Sequence, residues 1–130
     1  MNDKKKYDKT ILVIEDSKPL NKILCYDLSL AGFDTISAFN GKDGYELAIE
    51  RKPNLIILDV NLPVMNGFEV CWKIKSHPNV KNIPIIMLTG RAGQQDFEEA
   101  KDTAADFYMV KPYKQEKLLA KIKELLRIKD

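Results

Sequence analysis

An α/β fold, a parallel sheet covered by helices on both faces, is what this 130-residue chain predicts. Three observations carry that prediction. Short runs that are apolar throughout, such as Leu55-Ile56-Ile57-Leu58 and Ile85-Ile86-Met87-Leu88, read as strands buried on both faces. Stretches with apolar residues at helical spacing alternate with them, which argues for parallel strands joined by crossover helices. The length suits one compact domain whose core needs no disulfide or metal staple.

Met1 to Lys9 is polar and charged and is expected to form a flexible, frayed tail before a domain over 10–130. Thr10-Ile11-Leu12-Val13-Ile14 is a β-branched strand ending in Glu15-Asp16. Ser17-Lys18-Pro19 then offers an N-cap with proline in the first turn. Leu20, Ile23, Leu24 and Leu28 recur at helical spacing, and Gly32 is the expected left-handed cap. Asp34 to Phe39 alternates more than the other strands and reads as an edge strand.

Asn40-Gly41 turns the chain into a helix lasting to about Arg51, with Gly44, Tyr45 and Ala48 toward the sheet. Gly44 allows close helix–sheet approach. The third strand, from Leu55, runs straight into Asp59 and is stopped by Pro63 and then Asn66-Gly67. A third helix continues to about Ser76 with Val70, Cys71 and Ile74 inward, and His77-Pro78 ends it. Pro84 to Leu88 is the fourth strand, ending in Thr89-Gly90. A helix from about Gln94 to Asp102 offers little besides Phe97 and Ala100 as anchors, so it is expected to shift easily. Phe107 to Val110 is the fifth strand, running into Lys111-Pro112. Leu118, Leu119, Ile122, Leu125 and Leu126 stripe the last helix.

Composition excludes several function classes. Twenty-one basic against 19 acidic side chains give a net charge of +2, which favours neither nucleic acid nor a membrane surface. The seven basic residues from Lys111 onward read as a solvated helix face. No apolar run approaches membrane-spanning length, and no secretory signal is visible. Cys25 and Cys71 lack metal-ligand spacing and read as reduced, small hydrophobes. A cytoplasmic location is the expectation.

Right-handed crossovers place every strand's C-terminal end along one edge, where open α/β sheets bind ligands. That edge collects Glu15, Asp16, Asp59, Thr89 and Lys111. Three clustered carboxylates repel one another unless a cation intervenes. For an all-oxygen site that keeps its waters, that cation is magnesium, with manganese as a substitute. A magnesium-held Asp59 stays ionised and can attack phosphorus, forming an aspartyl-phosphate. Magnesium, the Lys111 ammonium and the Thr89 hydroxyl can then each take one phosphoryl oxygen, and Gly90 adds a backbone N–H and open space.

The chain resembles the receiver domains of bacterial two-component response regulators, and is similar to the single-domain chemotaxis-type receivers. The matching stretches are Ile14-Glu15-Asp16, Leu58-Asp59-Val60-Asn61-Leu62-Pro63 with Met65-Asn66-Gly67, Leu88-Thr89-Gly90, and Tyr108 three residues before Lys111-Pro112. The resemblance spans about Thr10 to Ile128 and implies a flavodoxin-like (βα)5 fold with strand order 2-1-3-4-5.

It implies that Asp59 accepts a phosphoryl group from a histidine kinase or phosphotransfer protein. Asp16, Asp59 and the Asn61 backbone carbonyl would ligate magnesium, and Glu15 would act through water. Thr89, Lys111, Gly90 and Asn61 would surround the phosphoryl group, and the Lys111-Pro112 bond would be cis. Tyr108 would swing inward as Thr89 moves, changing the face of the fourth helix, fifth strand and last helix for a downstream protein. The domain would catalyse its own phosphorylation and dephosphorylation without being a conventional enzyme. It would be a monomer or a phosphorylation-induced dimer, with no direct nucleic-acid contact and no membrane insertion. The chain is expected to be a stand-alone receiver. The alternative is a receiver cut from a regulator with a DNA-binding or enzymatic output domain.

Three positions depart from the family pattern. Glu15 stands where aspartate is commoner, Ala104 where glycine is usual, and Lys114 opposes the dipole of the last helix. A haloacid-dehalogenase-type phosphatase would need a second acid where Asn61 stands. A flavin-binding flavodoxin would need a phosphate-cradling loop where Glu15-Asp16 would repel phosphate. A degenerate receiver would lack part of the set of five. His77, the only histidine, reads as a loop residue far from the acidic edge. Trp72 reads as an outward-facing aromatic.

Overall fold

The computed structural model of the protein describes residues 5–90 and 105–129. Within them are five strands, β1 (Thr10–Ile14), β2 (Asp34–Ala38), β3 (Leu55–Asp59), β4 (Ile85–Thr89) and β5 (Phe107–Val110). Four helices are described: α1 (Lys18–Leu30), α2 (Gly41–Arg51), α3 (Gly67–Ser76) and a C-terminal helix (Gln115–Leu126). The expected helix over about 94–102, with Phe97 and Ala100, and the departure at Ala104 lie outside the described residues.

The strands form one parallel sheet in the order β2-β1-β3-β4-β5. Every residue of β3 and β4 is buried, as their unbroken apolar runs predict. Alternate side chains feed two cores. Leu12, Ile14, Ile56, Leu58, Ile85 and Met87 pack against α2 and α3, where Ala48, Val70, Cys71 and Ile74 meet them. Ile11, Val13, Leu55, Ile57, Ile86 and Leu88 pack against α1 and the C-terminal helix, where Leu28, Leu118 and Ile122 meet them.

The turn chemistry is as the sequence predicts. Ser17, Asn40 and Asn66 each cap a helix, their side chains accepting from Leu20 N, Asp43 N and Glu69 N. Gly32 follows α1 with φ +111°. Gly44 lies so close to Ile14 that a Cβ there would press on its side chain. Lys114 stands at the N-cap of the C-terminal helix without a capping hydrogen bond. Lys111-Pro112 is a cis peptide. Trp72 is exposed, and His77 ends α3 with its ring steeply inclined to that of Tyr45.

Two features stand apart from the sequence expectations. The segment just before β1 touches the domain. Tyr7 lies 4.8 Å from Phe33 between ring centroids, its N–H donates to the Gly32 carbonyl, and Asp34 N–H donates to the Lys9 carbonyl. Burying two aromatic faces favours order in this segment. The apolar spacing of α1 also misplaces its buried face. Leu20 and Ile23 are 52% and 57% exposed, whereas Asn21 is 1% exposed. The end of β1 presents carbonyl oxygens to that face, and an amide satisfies them where a leucine cannot.

Candidate functional site

Register decides what meets at the C-terminal edge. Ile14 pairs with Leu58, so Glu15 emerges level with Asp59. Asp59 pairs with Leu88 and Thr89 with Val110, which brings Thr89 and Lys111 to the same rim. The Lys111 N–H closes that rim on the Thr89 carbonyl at 2.6 Å. All five expected residues therefore share one end of the sheet.

Carboxylate oxygens of Glu15, Asp16 and Asp59 lie within 4.8 Å of one another. Glu15 and Asp59 are buried, and Asp16 is exposed. The Lys111 ammonium is 3.3 Å from Asp59 Oδ2 and 3.5 Å from Glu15 Oε1. Asp59 Oδ1 accepts the Asn61 N–H at 3.0 Å, and Glu15 Oε2 accepts the Ser17 N–H at 3.0 Å. Both buried acids are thus aimed by main-chain donors as well as by charge.

Burial, joined by repulsion from Asp59, lifts the Glu15 carboxyl from its ordinary 4.5 to about 7, although the Ser17 N–H works against the shift. Burial alone would lower the Lys111 ammonium, but the charges of Asp59 and Glu15 outweigh it and raise it. Burial also raises the Tyr113 phenol nearby. An all-oxygen acidic cluster with one acid open to solvent suits a hard divalent cation that keeps some of its water. The residues present therefore fit magnesium.

Thr89 is buried at the rim, and Gly90 is exposed beside it with nothing within 4 Å of where a Cβ would sit. Tyr108 lies on β5 opposite Met87 and packs against the α2/α3 side of the sheet. A groove of about 280 Å³ adjoins the carboxylates, bounded by Leu20, Ile23 and Leu24 of α1 and by Pro112 and Tyr113. The sequence reading missed Asn21, whose only signal was a polar residue inside an amphipathic helix. It also missed the Asn61 N–H as a partner of Asp59.

A family model described as the response regulator receiver domain matches residues 11–123. The chain is 37% identical over 120 residues to the DNA-binding dual master transcriptional regulator RpaA of Synechocystis, covering 92% of this chain and 50% of that protein. It is 37% identical over 117 residues to the phosphate regulon transcriptional regulatory protein PhoB of Rhizobium meliloti, covering 90% of this chain and 52% of that protein. It thus spans about half the length of these curated relatives. Among solved structures, chemotaxis protein CheY4 of Vibrio cholerae matches with a TM-score of 0.84 at 30% identity, over 90% of this chain and 98% of that one. The receiver domain of a sensor histidine kinase of Pseudomonas aeruginosa, with a magnesium ion coordinated in its active-site cleft, matches with a TM-score of 0.84 at 27% identity. That match covers 92% of this chain and 98% of that one. Among the described residues, no helix is long and apolar enough to cross a membrane.

Proposed function

The chain belongs to the response-regulator receiver family of two-component signalling, and on that premise we propose that Asp59 is its phosphoryl acceptor. The observation that supports this most is the meeting of three carboxylates and one ammonium at a single strand-end rim. Receiver domains are phosphoacceptors, and of the two buried carboxylates at that rim Asp59 ends β3 and lies nearer the Lys111 ammonium, at 3.3 Å against 3.5 Å for Glu15.

Asp16, Asp59 and the Asn61 carbonyl would hold magnesium, with Glu15 acting through water; manganese could substitute. Bound magnesium supplies Lewis-acid stabilisation of the transferring oxygens. The Asp59 carboxylate forms a bond to phosphorus while the phosphorus–nitrogen bond of a phosphohistidine breaks, and the imidazole leaves with that electron pair. Lys111 shifts from Asp59 to a phosphoryl oxygen, the Thr89 hydroxyl donates to another, and the Gly90 N–H completes the cradle. The same residues serve the later hydrolysis. Thr89 moves toward the phosphoryl group, Tyr108 follows, and the altered outer face of β5 and the C-terminal helix is read by a downstream protein.

The phosphoryl source is a sensor histidine kinase or phosphotransfer protein. The likeness to the chemotaxis protein CheY4 supports signalling by protein contact. Half-length coverage of RpaA and PhoB supports a second reading, in which the domain controls a DNA-binding output segment.

Intact-mass measurement after incubation with acetyl phosphate and magnesium tests the proposal. One phosphoryl group should appear in the parent protein, and none in Asp59→Asn or with chelator present. An unmodified parent mass with several phosphodonors would overturn it.

A further inference from the structure

We infer that Asn21 is a positioning residue for the acidic metal pair. It sits in the first turns of α1 and is one of only two fully buried residues of that helix. Its Nδ2 donates to the carbonyls of Glu15 at 3.1 Å, Ala38 at 3.1 Å and Val13 at 3.4 Å. Its Oδ1 accepts the Ser37 hydroxyl at 2.7 Å and the Cys25 thiol at 3.3 Å. Donors on one side and acceptors on the other leave the amide a single orientation.

The consequence falls on three residues. Glu15 donates its N–H to the Ala38 carbonyl and gives its own carbonyl to Asn21, so its main chain is held on both sides. Ser17, two residues on, caps α1 and accepts the Asn21 N–H on its carbonyl at 2.8 Å. Glu15-Asp16-Ser17 is therefore a short span pinned at both ends by one residue. The directions of the Glu15 and Asp16 carboxylates follow from where that span lies. Without the amide, the Glu15 carbonyl would turn to find another donor and carry both side chains with it. Groups that orient metal ligands from behind commonly matter to affinity as much as tenfold or more.

The inference rests on the magnesium reading above, and magnesium titration of the full chain separates the two. Calorimetry would give the Mg2+ affinity of the parent, Asn21→Leu, Ser37→Ala and Lys75→Met. Lys75 serves as control because its ion pair with Asp106 and its bonds to the Lys81 and Ile83 carbonyls lie at the opposite end of the sheet.

Asn21→Leu should weaken Mg2+ binding about tenfold or more, with shifted Glu15 and Asp16 amide resonances. Ser37→Ala, which frees the amide to turn, should weaken it by less. Lys75→Met should lose stability and keep its affinity. Should Asn21→Leu fail to fold, Ser37→Ala decides. Unchanged affinity in the folded variants, or an equal loss in Lys75→Met, overturns the positioning role while leaving the metal reading intact. A parent that binds no Mg2+ overturns both.

Discussion

Removing metal and raising the pH should destabilise this protein, and the size of the loss follows from Glu15. The Glu15 carboxyl titrates near 7 in the folded chain against an ordinary 4.5, because it is buried beside Asp59. Between those values the folded state holds a proton that the unfolded state has released. Stability must therefore fall as the pH rises through the window, since the native state binds more protons. With those two values, the loss between pH 5 and pH 8 is on the order of 2–3 kcal/mol. Lys111 drops out, because its raised ammonium stays charged throughout.

Urea unfolding with chelator at several pH values measures the loss, and Glu15→Gln supplies the background slope of every other group. The parent should lose stability relative to Glu15→Gln by about that amount, and saturating magnesium should abolish the difference, because the ion binds the ionised native site. A parent whose metal-free stability tracks that of Glu15→Gln from pH 5 to 8 would refute the reasoning.

Other perturbations test the frame around the site. A Cβ at Gly67 would collide with the Asp59 carbonyl and the Val60 Cα, so Gly67→Ala should cost about 1–3 kcal/mol in urea unfolding. It should also weaken Mg2+ binding, because the backbone that must yield carries Asp59. Val64 is fully exposed at φ +66°, a left-handed conformation that a β-branched residue adopts at a cost. Val64→Asn should therefore raise stability by about 1 kcal/mol, and a lower urea midpoint would contradict this. Lys75→Met leaves Asp106 with the Ile85 N–H but without its ammonium, and should lower stability by about 1–3 kcal/mol.

The parts of the fold that were legible in the sequence are those written locally. β3 and β4 are buried on both faces, and so their residues are apolar without alternation. Asn40 and Asn66 announce helix starts because their side chains must accept an N–H three residues on. What was illegible depends on partners distant in the chain. Lys75 and Asp106 are 31 residues apart, and nothing near either one signals the pair. Leu20 and Ile23 obey helical spacing yet face outward, because spacing gives a stripe and not its direction. Nothing local to Asn21 signals its burial, since a polar side chain is buried only where backbone groups need it, and that need arises from β1 and β2 meeting. Residue types alone could gather the five site residues at a rim. Their adjacency required the strand order, which came from family resemblance and not from periodicity.

Strand order also explains the charge of the site. With β1 beside β3, Glu15-Asp16 and Asp59 are forced together although some 40 residues separate them. Lys111 reaches them from β5, two strands beyond β3, and can offset only one of three negative charges. Two remain when all three acids are ionised, which is the charge of one divalent ion. Without the ion, the cheapest relief is a proton, and the buried Glu15 is the acid that takes it while Asp16 stays in water. Proton and metal are thus alternative answers to one electrostatic problem set by the topology. Placing an aspartate at position 15 would shorten the reach of that proton-bearing arm, whereas moving Lys111 to another strand end would leave the problem with no permanent partner at all.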